Sequence, residues 1–441
     1  MEMQTTLPML DAPPRASTRN AAIGLITLTM FTGTAARYVL SPMQELVRTD
    51  LGLGDNQMAL LQGMAIALPT ALMSIPLGRL VDRANRARLL LILALVCTAG
   101  SVLAAFAQDF ATLFIARMLV GASVVAAQPA GISLVADLAD ASQRGRMITL
   151  ISLGQAFGGA LAYVLAGKLL PWLPTLLPAS SSLAALAPWR LVTLVFSVAV
   201  LAGAATLLFM REPPRLEAGA AQGGKLREAL RELWTYRNFL VPLVIGMVTV
   251  GMADAAALIW AVPVLTRNFH QTPADFGTWM GLLNLGSNVV GAVLGGLVVD
   301  LGQRKRGRAG VLLGAVIGAA VSVPAALFPI MPTVPGFAVL MGLLLTAGAC
   351  TSIAATSAIA VILPNELRGI CFSLLVAVIG LAAYGAAPLL VSLSAQAFTH
   401  DGDIVIPLTC VGFVTSVLAV YAFLRAMRVA ALSTSEHQEI K

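Results

Sequence analysis

Two ionisable residues stand where charge is costly: Arg37, in the run Thr34-Ala35-Ala36-Arg37-Tyr38, and Asp254, in Gly251-Met252-Ala253-Asp254-Ala255. Each lies inside an apolar tract, and a charged side chain at the centre of a bilayer costs about 2.5–3.5 kcal/mol even on insertion scales. Such a group is expected to face protein or a wet cavity and to act there. Arg37, a planar and permanently charged donor, suits a carboxylate or phosphate head group; its other reading is a pairing with Glu45 or a backbone carbonyl. A buried aspartate can take up and release a proton as its surroundings change, which makes Asp254 the candidate for proton coupling. Arg117, in the outer part of its tract, either serves structure or runs its stem out to water. Gln128, Ser133 and Gln155, with Asn284 and Asn288 one helical turn apart, complete the candidate binding set, and interhelical hydrogen bonds are their alternative role. Tyr163, Trp260 and Tyr384 read as an apolar wall or as belt residues at the interface.

The elements that must position these residues are membrane helices. The 441 residues are 58% hydrophobic and only 11% charged, against roughly a quarter charged in soluble domains, and the mean hydropathy is +0.87. Apolar tracts of the ~20 residues that span about 30 Å of hydrocarbon recur along the chain. Tracts and breakers place helices at 21–46, 56–81, 87–107, 111–138, 145–170 and 188–210, then 238–264, 272–301, 309–329, 334–362, 368–396 and 404–428. The glycines and prolines of spans seven, eight, ten and eleven favour helices that bend and move.

Charge orients these spans. Arg15, Arg19, Arg79, Arg83, Arg86, Arg88, Arg144 and Arg146, the run from Arg211 to Arg237, Arg304 to Arg308, and Arg368 all fall on one side, whereas the other side holds Arg48, Lys168, Arg190 and Arg267. Basic residues accumulate in cytoplasmic loops, so both termini are expected in the cytoplasm. Residues 211–237 read as a linker between halves, carrying an amphipathic run, Leu226–Trp234, that either lies on the lipid surface or is solvated. The expected organisation is a tail at 1–20, a bundle at 21–210, the linker, a second bundle at 238–428 and a tail at 429–441.

The chain also says one thing twice. Gly78-Arg79-Leu80-Val81-Asp82-Arg83-Ala84-Asn85-Arg86 is echoed by Gly296-Leu297-Val298-Val299-Asp300-Leu301-Gly302-Gln303-Arg304, and Gln143-Arg144-Gly145 by Leu367-Arg368-Gly369. Duplication about half a chain apart is the mark of a transporter built from repeats. With Arg117-x-x-x-Gly121, these motifs give a chain that resembles the major facilitator superfamily over essentially its whole length. The loop-two signature matches at Gly78, Leu80, Asp82, Arg83 and Arg86, with Asn85 at a usual glycine, read as tolerating positive φ. The resemblance implies an all-α membrane protein with 12 transmembrane helices in two pseudo-symmetric six-helix bundles around a central cavity. It further implies a cytoplasmic gate built from Gly78, Asp82, Arg83, Arg86, Asp137, Asp300 and Arg304. Trp189-Arg190 and Arg211-Glu212-Pro213-Pro214-Arg215 resemble the spinster-like permeases within it. Those typically carry acids where this chain has Ala36 and Val124, and the Gly-Pro drug-antiporter signature is absent around Gly154, Gly158 and Gly159.

Other classes are set aside. The net charge of +7 is explained by loop topology and not by a nucleic-acid stripe. Nucleotide loops, hydrolase elbows and metal motifs are missing, and His270, His400 and His437 are scattered, so neither an enzyme nor a cofactor is expected. Cys97, Cys350, Cys371 and Cys410 read as packing residues, and the first twenty residues do not read as a cleaved signal peptide. The expected function is a secondary transporter of a small organic solute, anionic or amphiphilic, working by alternating access with proton coupling. It would be monomeric in a lipid bilayer, the bacterial inner membrane. An uncoupled facilitator or exporter, or a non-transporting membrane sensor, are the alternatives.

Overall fold

The computed structural model describes residues 16–140, 142–178, 180–210, 212–213, 226–399 and 403–439. At 16–18, 74–79, 82–83, 182, 226–227, 229, 306 and 433–439 it describes the backbone alone. Ten helices among the described residues are long and apolar enough to cross a membrane. Two more complete the twelve: Ala16–Tyr38, and a continuous second span made of Asp55–Ala59, a π-helical turn Leu60–Met64 and Ala65–Arg83.

Helix ends follow local chemistry. Asp109 caps Phe110–Leu138 by accepting from the Thr112 amide, Thr333 caps Val334–Ile362 by accepting from Gly336, and Thr272 with Asp275 form a capping box ahead of Pro273. The Thr112 amide and hydroxyl hold the Asp109 carboxyl below the usual range. Asn85, expected to tolerate positive φ, instead has φ −66 and caps Arg86–Phe106 by accepting from the Arg88 amide. It stands in the signature as a cap, a role in which asparagine is among the best residues.

Several spans differ from expectation at their ends. The first stops at Tyr38 and is followed by turns and a separate helix, Gln44–Asp50. Pro42 accounts for this: its ring would clash with the carbonyl of Tyr38 four residues back, so the helix cannot continue. The Tyr38 carbonyl accepts from the Ser41 amide instead, at 3.0 Å. The eighth span runs through the basic loop to Gly310, and the ninth is a helix, Leu313–Ala325, closed by the 3-10 turn Phe328–Ile330. The amphipathic run forms the helix Leu226–Thr235.

Packing divides the spans into two sets. In the first, span one lies against five and six, and span three against four and six; in the second, seven lies against twelve, and ten against eight and nine. The sets meet where span five packs on eight and span two on eleven, a pair of contacts that a two-fold relation between repeats requires. Two π-helical turns, Leu60–Met64 and Gly380–Ala386, face each other across the second of these contacts. One apolar cluster, built around Trp260, Phe276, Phe328 and Phe337, also takes in Ala59 and Tyr163 of the first half.

Spans one and five approach so closely that a β-carbon on Gly158 would overlap the Phe31 carbonyl. Overpacking of this kind costs about 1–3 kcal/mol. Gly158→Ala is therefore expected to lower the unfolding temperature of the detergent-solubilised protein, while Gly145→Ala, which meets nothing within 4 Å, leaves it unchanged.

Candidate functional site: a polar cavity between the halves

Between the two halves lies a cavity of about 230 Å³ lined by Thr34, Arg37 and Tyr38 from span one, Gln128 from span four, Gln155 from span five, and Asn284 and Asn288 from span eight. Five of the six residues singled out for binding, Arg37, Gln128, Gln155, Asn284 and Asn288, thus face one space, and Ser133 does not. The Arg37 guanidinium carbon sits 5.5 Å from the Tyr38 ring centre. Its Nε is buried with no hydrogen-bond partner among the described residues. Glu45, its alternative partner, is occupied by Arg48 and Arg267.

A smaller cavity shares Arg37 and Tyr38 and reaches Gln62, Arg117, Tyr163 and Tyr384. Arg117 does not run out to water: it is 3% exposed and donates to the Arg37 carbonyl at 2.7 Å and to Gln62 Oε1 at 3.1 Å. Its helix sits close to span two because a β-carbon on Gly121 would already lie 3.0 Å from the Ile66 Cα. Gln62 donates to Gln44 Oε1 at 3.3 Å, and Gln44 donates to the Ile259 carbonyl of span seven at 2.6 Å. Tyr163 and Trp260 are buried, not belt residues, and the Trp260 indole donates to the Pro388 carbonyl.

Asp254 is half-buried against Gly348 of span ten, where a β-carbon would overlap the carboxylate. Its Oδ1 has no hydrogen-bond partner among the described residues. Tyr384, on the smaller cavity, lies within electrostatic range of both Arg37 and Asp254. Ala36 and Val124, where spinster-like permeases carry acids, share one apolar cluster with Cys97, Val120 and Val200. Cys97, Cys350 and Cys371 are buried, whereas Cys410 is exposed.

At the end bearing the basic loops, Arg86 is 3% exposed and donates to Asp137, to Glu212 at 2.9 Å and to the Ser133 hydroxyl at 2.9 Å. Ser133 therefore belongs to this cluster and does not line the cavity. Arg86, Ser133 and Asp137 come from the first bundle and Glu212 from the stretch just after span six, so the cluster ties the ends of spans three, four and six together. Asp300 and Arg304 are exposed, and the side chains of Gly78, Asp82 and Arg83 lie outside the described residues.

The opposite end carries contacts that sequence reasoning missed. Arg267, closing span seven, donates to Glu45 at 2.7 and 3.1 Å and to Asp55 at 2.6 and 2.9 Å. Asn56 donates to Gln396 at 2.9 Å beside it. With the Gln44 bond, these join the two halves at one end. The available signal was Arg267 itself, one of few cations on a side poor in them, with two carboxylates flanking the first loop.

Residues 26–383 match the Major Facilitator Superfamily. The chain belongs to this superfamily. Among solved structures it is similar to a bacterial homologue of the human lysosomal transporter Spinster in an inward-facing, unoccupied conformation, with a TM-score of 0.80 and 19% identity over 94% of this chain and 97% of that one. It is also similar in fold to a D-xylose–proton symporter, with a TM-score of 0.65 and 19% identity over 91% and 97% of the two chains. Curated relatives match in part. A probable 4-methylmuconolactone transporter of Cupriavidus pinatubonensis is 38% identical over 123 residues, 28% of each chain. A D-xylose transporter of Levilactobacillus brevis is 34% identical over 100 residues, 23% of this chain and 22% of that one. The matched segments thus span about a quarter of those relatives' length.

Arg267→Ala would leave Glu45 and Asp55 without their shared cation and weaken closure at this end. Spin labels at Thr49 and Ala274, one on each half, are expected to show a longer distance in the variant, and a shift of ~1.4 kcal/mol would change the populations about tenfold. An unchanged distance distribution would show that this contact does not hold the end closed.

Proposed function

We propose that the chain is a secondary active transporter that carries a small organic anion by alternating access, with Arg37 as the anion site and Asp254 as the proton carrier. The observation that carries the reading is Arg37: a guanidinium nitrogen, buried and without a partner among the described residues, on the wall of a cavity between two halves of a transporter fold. A charge left unsatisfied at that depth is costly unless a ligand completes it. The likeness to the 4-methylmuconolactone transporter supports an organic solute of modest size.

The arrangement corresponds to a state closed outside and open to the cytoplasm. The concentration of basic residues on one side supports cytoplasmic termini and an outer face that carries the Arg267 contacts. Gln128 and Asn288, polar residues exposed midway along membrane helices, are then wetted from the cytoplasm. Ile92, Val198, Leu201 and Ile115, all exposed, face lipid around a single copy in the bacterial inner membrane. The cavity residues suit transport and bring together no nucleophile or metal set of the kind an enzyme uses.

A second reading, an uncoupled facilitator or exporter, is favoured by Ala36 and Val124, which leave the spinster-like acid positions apolar. Liposomes loaded with a pH dye separate the two. With 4-methylmuconolactone or gluconate outside, the wild type is expected to move protons together with the anion. Asp254→Asn should retain binding and lose the proton movement, whereas Arg37→Ala should lose binding. Transport indifferent to a pH gradient, or proton movement intact in Asp254→Asn, would assign the uncoupled mode.

A further inference from the structure

The anion reading of Arg37 can be taken further, because the two walls of the cavity differ in what they offer. On span one, Thr34 Oγ1 and Arg37 Nε are both buried without a hydrogen-bond partner among the described residues, and they lie three positions apart on one helix face. Two unfilled donors so placed match the two oxygens of one carboxylate. Arg117 adds positive charge from behind, but its terminal nitrogens are taken by the Arg37 carbonyl and Gln62. The cavity is therefore lined by one guanidinium, that of Arg37, with a nitrogen unpartnered among the described residues, which suits one carboxylate.

The facing wall is neutral, made of amides that can accept from hydroxyl groups and carry no second cation for another carboxylate. Asn288 commits its amide nitrogen to Asn284, donating to both the backbone and side-chain oxygens at 2.8 Å. Its own Oδ1 is left as an acceptor. Gln155 turns its amide nitrogen toward Met30 Sδ at 3.8 Å, which likewise leaves an oxygen for the cavity. Carbonyl oxygens repel a second carboxylate and accept from hydroxyl groups. At about 230 Å³ the space is smaller than the ~300–1,000 Å³ of drug-sized pockets, and it does not enclose a lipid tail.

Resting on the proposed anion site, we infer that the cargo is a compact monocarboxylate bearing hydroxyl groups, its carboxylate on Thr34 and Arg37 and its hydroxyls on the Asn284–Asn288 and Gln155 wall. Thermal-shift titration of the full-length wild type tests this, with D-gluconate and quinate as hydroxylated monocarboxylates. Hexanoate keeps the carboxylate without hydroxyls, glucose the hydroxyls without the carboxylate, and succinate and lysophosphatidylcholine represent the excluded classes. Ligands that bind the folded state raise the unfolding temperature by mass action. The hydroxy acids are expected to stabilise, with hexanoate at least about tenfold weaker and glucose inert. Asn288→Leu, on an exposed cavity position, should weaken gluconate or quinate about tenfold and leave hexanoate unchanged.

The failures are separable. Hexanoate equal to the hydroxy acids would overturn the hydroxyl half and leave the anion site standing. Glucose equal to gluconate would overturn the carboxylate half and the anion site with it. Stabilisation by succinate or lysophosphatidylcholine alone, or by none of the panel, would overturn the inference entirely; the wild-type titration decides without the variant.

Discussion

Two guanidinium groups side by side in a membrane bundle, Arg37 and Arg117, set the terms for the rest of this structure. Each lies within electrostatic range of the other, and the nearest acid in sequence, Glu45, is held elsewhere. Carbonyls and amides can solvate such groups but cannot neutralise them. Arg117 is solvated by the chain itself, through the Arg37 carbonyl and Gln62. Arg37 lines the cavity with its buried Nε unpartnered among the described residues. The positive field in the middle of the protein is thus the feature on which the proposed anion site rests.

The same contact explains a local feature of the fold. Span one ends early because Pro42 cannot follow Tyr38 in a helix, and a helix end leaves carbonyls without intrahelical partners. The Arg117 guanidinium takes the Arg37 carbonyl, one of these. A break that would otherwise expose polar backbone within the membrane becomes the place where spans one and four are joined. Gln62 and Gln44 extend this join to the Ile259 carbonyl in the other half. Arg37 of the candidate site and Gln44 at the end where the halves meet therefore belong to one connected set of hydrogen bonds.

How much of this can be read from the residues alone depends on range. Helical spans were legible because hydropathy and breakers act over tens of residues, and the cavity set was legible because Gln128, Gln155, Asn284 and Asn288 are polar within apolar tracts. The early end of span one was not, because Val39, Leu40 and Met43 are buried in the core and keep the tract apolar across the break; Pro42 alone marked it. Ser133 sits one turn before Asp137, so its polarity served the Arg86 cluster and not the cavity. Whether Arg117 turned inward or outward depended on its rotation relative to span one, which a single helix does not encode. The pairing of Arg267 with Glu45 and Asp55 joins residues 222 and 212 positions apart and depends on how the halves meet.

Under the proposed alternating access, that pairing also has to be breakable. Exposed ion pairs contribute about 0–1 kcal/mol, whereas removing one partner of a fully buried pair costs about 3–5 kcal/mol. The Arg267 side chain is 27% exposed, with Glu45 at 11% and Asp55 at 17%, between these extremes. The Arg86 cluster is more deeply buried, with Arg86 at 3%, and it stays within one half, where no step of a rocking motion needs to open it. Charge pairs within a half can be strong because they move as a body. Those between halves must be weak enough for differential binding of a cargo to compete with them, since a ligand shifts such an equilibrium only by its preference for one state. The partly wetted Arg267 contact fits that requirement, and elsewhere between the halves the packing is thinned by glycine, where a β-carbon on Gly281 would lie 2.5 Å from the Ala160 carbonyl: the interface closes tightly without a fully buried charge pair that a cargo would have to pull apart.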